Sequence, residues 1–166
     1  MADAVWRSDA QTTVTDLLDR RLADDAEGPY LDVMGTSFRA ADIELQGNAL
    51  ANALGMLGVG HGDRVASLLE NAPEAALFWW GAIKANGIAV PINTAYKGEY
   101  LRHQPADSGS TVAVVQADLA DRFAAVLDAP KPVDPGVKDP AEEGAAADAL
   151  RDKVAAVDAS RSPSLD

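Results

Sequence analysis

The 166-residue sequence contains no cysteine. That excludes a disulfide framework, a thiolate nucleophile and a sulfur-ligated zinc, and it suits a reducing, cytoplasmic compartment. Basic residues are scarce, with fourteen Lys and Arg against twenty-six Asp and Glu, for a net charge of −12 and a pI near 4.4. Binding a phosphodiester backbone requires clustered cations, so nucleic acid and anionic membrane surfaces are not expected partners. No apolar run is long: the longest, Ala75 to Ile83, is far below the roughly 20 residues of a bilayer span and reads as a buried helix. The N-terminus, Met1-Ala2-Asp3-Ala4-Val5, lacks the basic-then-apolar order of a signal peptide. Histidines number two, and neither His61 nor His103 has a second histidine at helical spacing. No metal site is expected from them, and no Ser or Cys nucleophile motif accompanies them. Surface or turn roles are the expectation for both.

What is present is a 48% hydrophobic chain, enough for a real core. Thr13 and Asp16 form a capping box, followed by an apolar stripe of Val14, Leu17, Leu18 and Leu22. Tyr30–Val33 and Ser37–Phe38, separated by Gly35-Thr36, read as a small hairpin. Ile43, Gly47, Leu50, Leu54 and Leu57 are spaced as the core face of a second helix, with Gly58 as its C-cap signal. A buried strand over 64–69 precedes a helix capped by Asn71 and Glu74, which runs to Asn86-Gly87 and is apolar nearly all round. Strand 88–92 should end or lie at an edge at Pro91, which has no N–H for a ladder. Helix 98–104, strand 111–115 and helix 118–127 complete the pattern. Alternating strands and helices predict an α/β fold with layered helices on a mainly parallel sheet.

Composition changes at Asp128. From there to Asp166 there are no aromatics and five of the nine prolines. Such a segment buries too little to offset ordering its backbone. The expected organisation is a flexible 1–12, a folded 13–127 and a largely disordered, low-complexity tail over 128–166, with a marginal helix over 145–159 presenting Leu150, Val154 and Val157.

Several patterns invite a functional reading. Gly58-Val59-Gly60-His61-Gly62-Asp63 has nucleotide-loop composition, but it follows a helix and precedes a strand, the reverse of a dinucleotide loop. A turn is expected. Trp79 and Trp80, adjacent on an apolar helix, point about 100° apart, so only one need face the core. Core packing is favoured over an acyl pocket. Asp118, Asp121 and Asp128 read as a solvated helix face. Pro130-Lys131 lacks the Gly, Ser and Thr residues that would cradle a phosphate, and Asp128 would repel one, so it reads as a linker.

Three stretches carry a family resemblance. Ile43 to Ala51 leads into Leu57 to Ala66; Glu70-Asn71-Ala72-Pro73-Glu74 follows; then comes Pro91-Ile92-Asn93-Thr94-Ala95-Tyr96-Lys97-Gly98-Glu99-Tyr100-Leu101-Arg102-His103-Gln104. Together they resemble the N-terminal part of the adenylate-forming acyl-CoA synthetases, nearest the fatty-acyl and carnitine-type CoA ligases. The resemblance implies a partial N-terminal subdomain of such a ligase over about 13–127. It implies fatty-acid activation with ATP, magnesium and coenzyme A for the full-length family. The family's phosphate loop, magnesium-binding acid and adenylation lysine have no matching positions here. No catalytic, cofactor-binding or metal-binding residue is therefore assigned, and no cofactor is expected to bind this fragment. The expectation is a truncated relative, inactive alone. Its alternatives are an interaction module, or one part of a split ligase completed by another chain. Self-association through an uncovered apolar face is also expected.

Two departures from the family pattern stand out. Arg39-Ala40 replaces the usual Thr-Tyr, removing a hydroxyl cap, and Pro105 replaces an apolar residue within a helix, so that helix should end at Gln104. The tail is expected to be unrelated sequence, as a frame change or truncation would produce.

Overall fold

The computed structural model describes residues 12–128 and 154–157. Helix α1 (Val14–Asp25) opens with the expected box: Asp16 N–H donates to Thr13 Oγ1, and Thr13 N–H donates to the Asp16 carboxylate at 2.7 Å. Strands β1 (Pro29–Val33) and β2 (Thr36–Arg39) form an antiparallel hairpin. Its turn is Met34-Gly35 rather than Gly35-Thr36, and both residues have positive φ (53° and 84°), as a two-residue turn matched to strand twist requires. Helix α2 (Ala40–Met56) ends in a Schellman arrangement. Val59 N–H reaches Leu54 O at 3.0 Å, Gly58 N–H reaches Gly55 O at 2.9 Å, and Val59 packs with Leu54 in one core cluster.

The main sheet comprises β3 (Arg64–Leu68), β4 (Ile88–Pro91), β5 (Val112–Gln116) and β6 (Val154–Val157), all parallel, in the order β4-β3-β5-β6. Helix α3 (Pro73–Lys84) connects β3 to β4, and α4 (Gly98–Ser108) connects β4 to β5. A 3-10 turn (Ala117–Leu119) and α5 (Ala120–Asp128) follow β5. Alternation along β3 divides the core. Val65 packs with Leu54, Phe78 and Ala82 on the α2/α3 side, whereas Ala66 and Leu68 pack with Leu101 and Phe123 on the α4/α5 side. A third cluster, Leu18, Phe38, Ala40, Ile43 and Trp80, lies between α1, the hairpin and α3. The expected α/β layering on a parallel sheet is observed.

Five local expectations need correction. The α3 N-cap is Ala72 with Pro73 at the first turn, so Asn71 and Glu74 do not form a cap pair; proline at N1 lacks only an N–H that would go unused. Helix α3 ends at Lys84, and Trp79 on it is 41% exposed, so the helix is not apolar on every side in context. Helix α4 does not stop at Gln104; it runs through a fully buried Pro105 to Ser108 and ends at left-handed Gly109 (φ 62°). Only one turn follows the proline, and burial of its ring offsets part of the lost bond.

At α2 the hydroxyl cap is replaced, not lost. An arginine side chain has only donors, so the link runs one way: Asp42 accepts from Arg39 N–H (2.9 Å), Nε (2.9 Å) and Nη2 (2.6 Å). Arg39 also pairs with Glu27. Last, Val154–Val157 is a strand paired with Ala113–Gln116, not the end of a helix. Residues 1–11, 129–153 and 158–166, including the rest of the expected tail, lie outside the described residues.

Asp42 is 5% exposed, and its bond to Arg39, ahead of every other cause, holds its carboxyl below the usual range. A depressed folded pKa gives stability that is complete above the unfolded value near 3.9 and is lost as pH falls through the folded one. Glu44, held by Lys84 at 2.6 Å, and Asp16, held by Thr13, are lowered with the same sign. Asp42→Asn should therefore lower Tm at pH 7 and flatten the acid limb of the Tm–pH curve below about pH 4. A variant whose acid limb superimposes on the wild-type curve would remove Asp42 from this account.

Pro91 sits on the outer strand, as expected. Ile88 N–H and Ile92 N–H both point at β3, reaching Asp63 O and Ser67 O at 2.7 and 2.8 Å. By the two-residue period, Ala89 and Pro91 face outward. Proline has no N–H, so the free edge of β4 offers a single donor.

Candidate functional site

In a parallel sheet the loops leaving the carboxyl ends of the strands form the ligand-binding rim. Here an open cleft of about 570 Å³ lies between the loops after β3 and β4. Leu69, Glu70 and Asn71 form one wall, and Pro91 to Thr94 form the other. Both walls are held from a distance. Gln116, at the end of β5, accepts the Glu70 N–H at 3.1 Å, bridging the crevice where strand order reverses. Arg122, on α5, donates from Nη2 to Thr94 O at 2.6 Å. Asn93 Oδ1 accepts Ala95 N–H at 2.9 Å, and Tyr96 N–H closes the same turn on Asn93 O. Leu69, Pro91 and Ile92 are the apolar members of the lining and Glu70, Asn71, Asn93 and Thr94 the polar ones, and polar surface predominates.

Six of the cleft's lining residues, Glu70, Asn71 and Pro91 to Thr94, come from the stretches that carry the family resemblance, whereas the histidines, tryptophans and helix acids weighed as sites from sequence lie elsewhere. His61 is exposed in the α2–β3 turn, where Gly62 N–H donates to Asn86 O at 2.8 Å, and His103 is exposed on α4. The glycine run is a helix-to-strand turn, as expected. Trp80 is core, tilted on Tyr30 with centroids 6.0 Å apart, and Trp79 stands edge-on to it at 5.4 Å. Neither indole lines the cleft. Asp118 and Asp121 are exposed, and Pro130-Lys131 lies outside the described residues. Sequence reasoning missed Gln116 and Arg122, whose partners lie 46 and 28 residues away, a distance that no local pattern encodes.

Among the described residues no group of three His, Asp or Glu side chains could hold a metal ion. The β3 loop carries Glu70, and Lys84 is committed to Glu44. No helix among them is long and apolar enough to cross a membrane.

A family profile described as AMP-binding enzyme matches residues 21–164. The chain belongs to that family. The AMP-binding match continues past Asp128 almost to the end of the sequence, which overturns the expectation that the tail is unrelated. Low aromatic content and frequent proline resemble a linker, yet this segment contributes the strand Val154–Val157 to the sheet. Among curated AMP-binding relatives, the long-chain-fatty-acid–CoA ligase FadD13 of Mycobacterium tuberculosis is 42% identical over 79 residues, covering 45% of this chain and 16% of the relative. A long-chain-fatty-acid–CoA ligase of Escherichia coli is 29% identical over 121 residues, covering 72% of this chain and 22% of its own length. The inhibitor-bound N-terminal domain of FACL13 from M. tuberculosis superposes with a TM-score of 0.66 at 25% identity, covering 86% of this chain and 33% of that one. The chain thus spans about a fifth of the curated relatives and a third of that solved domain.

Proposed function

We propose that this chain supplies the N-terminal α/β layer of an ATP-dependent, AMP-forming fatty-acid–CoA ligase and does not activate an acid by itself. The observation that supports the reading is a pairing: family membership over most of the chain, which yet spans only about a fifth of its curated relatives' length. Forming an acyl-adenylate places charge on transferring phosphate oxygens, which needs cations and aimed N–H groups. Arg39, Arg64, Arg102 and Lys84 are each engaged with carboxylates or carbonyls of the fold. ATP, magnesium, coenzyme A and the acid then bind where the remaining two-thirds of the ligase domain completes the site, in the same polypeptide or from a second one.

ATP–pyrophosphate exchange with a panel of fatty acids tests both halves of this reading. The 166-residue chain alone should give no signal above background. Adding a separately produced remainder of a related ligase domain should restore exchange. Exchange by the chain alone would overturn the proposal.

A second reading, a non-enzymatic docking module in the cytoplasm, draws on Leu45 and Met56 of α2, which are 72% and 90% exposed. Self-association visible by sedimentation at micromolar concentration, together with failed complementation, would favour it.

A further inference from the structure

The turn between α3 and β4 carries a reactive pair that neither the cleft nor the ligase reading uses. Asn86-Gly87 is the only asparagine–glycine step in the sequence; the other three asparagines precede Ala49, Ala72 and Thr94. Asparagine is thermolabile, because the backbone nitrogen of the next residue can attack its side-chain amide carbon. Glycine, having no Cβ, leaves that approach unhindered. Asn86 is exposed and sits at φ 58°, a left-handed conformation that asparagine adopts more readily than most residues. The fold engages both backbone groups of the peptide bond that would react. Gly87 N–H, which carries the attacking nitrogen, donates to Ala82 O at 2.9 Å, and Asn86 O accepts Gly62 N–H at 2.8 Å from the α2–β3 turn. Rotation about the Asn86 Cα–C bond, which turns this nitrogen onto Cγ, breaks both hydrogen bonds. The native turn therefore withholds the near-attack geometry.

We propose that Asn86 is a site of spontaneous deamidation, gated by local opening of the α3–β4 turn. The Gly87 nitrogen bonds to Asn86 Cγ, the Cγ–Nδ2 bond breaks, and the Gly87 proton leaves on the departing ammonia. Water then opens the cyclic imide at one or the other carbonyl, giving aspartate or isoaspartate with no change of oxidation state. Either product places a carboxylate at the negative end of α3. Isoaspartate also adds a methylene to the main chain, next to the bond from Ile88 N–H to Asp63 O that starts the β3–β4 ladder.

Peptide mass mapping of the full 166-residue chain, aged in warm, mildly alkaline buffer with and without unfolding urea, tests this. The unfolded chain should convert at Asn86 ahead of the other three asparagines, with aspartate and isoaspartate peptides separating by chromatography. The folded chain should convert about tenfold more slowly or worse, the scale of a local opening. Gly62 lies at φ 80°, so Gly62→Ala strains the donor that holds Asn86 O. It should speed the folded reaction about tenfold and leave the reaction in urea unchanged. Should that variant fail to fold, hydrogen exchange of the wild-type Gly87 amide gives a second readout: below the unfolding transition, both rates should follow the same dependence on urea. Equal conversion of the folded and unfolded chains would overturn the proposal. So would faster conversion at another asparagine, a folded Gly62→Ala that converts no faster than wild type, or a deamidation rate that departs from Gly87 exchange.

Discussion

Truncating Phe123 to alanine should cost the fold about 4 kcal/mol, from lost transfer energy and the cavity left behind. Phe123 has no exposed surface and sits among Ala66, Leu68, Leu101 and Val115, where α4 and α5 meet the sheet. Of the fully buried side chains among the described residues it is the largest, and most of the neighbours named are strand residues that cannot move far to refill the space. Against a typical domain stability of about 5–15 kcal/mol, such a loss takes a large share. Urea denaturation should show the midpoint falling with the slope unchanged. A loss under about 1 kcal/mol would mean that the α4/α5 side of the sheet is not close-packed in solution.

Arg64→Met should cost about 3 kcal/mol, chiefly by orphaning carbonyls. Arg64 opens β3, and its guanidinium donates to Ser108 O (3.0 Å), Gly109 O (2.8 Å) and Gly62 O (3.1 Å). Two of these carbonyls end α4, so the cation also lies at the negative end of that helix. Methionine retains the aliphatic stem and removes every donor, which isolates the polar contribution from packing. Lysine should recover less than half of the loss, because one ammonium cannot span three carbonyls set around a planar fork. Amide exchange resolved along α4 checks the mechanism: protection should drop first near Ser108 and Gly109. Uniform loss of protection would point instead to global unfolding without a local role for Arg64.

The layering was legible because its signals are local. The Thr13–Asp16 box, the 4-3-4-3 spacing of α2 and the short apolar strands 64–68 and 112–116 each carry their own instruction. Where the reading failed, a local rule was outvoted by contacts distant in sequence. Asn71 and Glu74 have cap spacing, yet Pro73 takes the first helical position and moves the cap to Ala72. Pro105 breaks the helix pattern locally, yet its ring is sealed in the core. Val154–Val157 sits in a composition too poor to fold alone and is a strand because β5 offers an edge. The cleft was legible only as two resemblance stretches, Glu70–Glu74 and Pro91–Gln104, and not as a site. Its walls are joined by one crossover and braced from beyond a second, and Arg122 and Gln116 look like ordinary surface residues in the sequence.

Pro91 gives the sheet a direction. An incoming strand needs a row of donors and acceptors, and the rim beyond β4 presents one N–H where a regular strand would present two. Strand exchange or fibre-like stacking of copies through that side is thereby discouraged. If this chain self-associates, the contact should run through helix surfaces such as that carrying Leu45 and Met56, and its stoichiometry should be closed rather than open-ended.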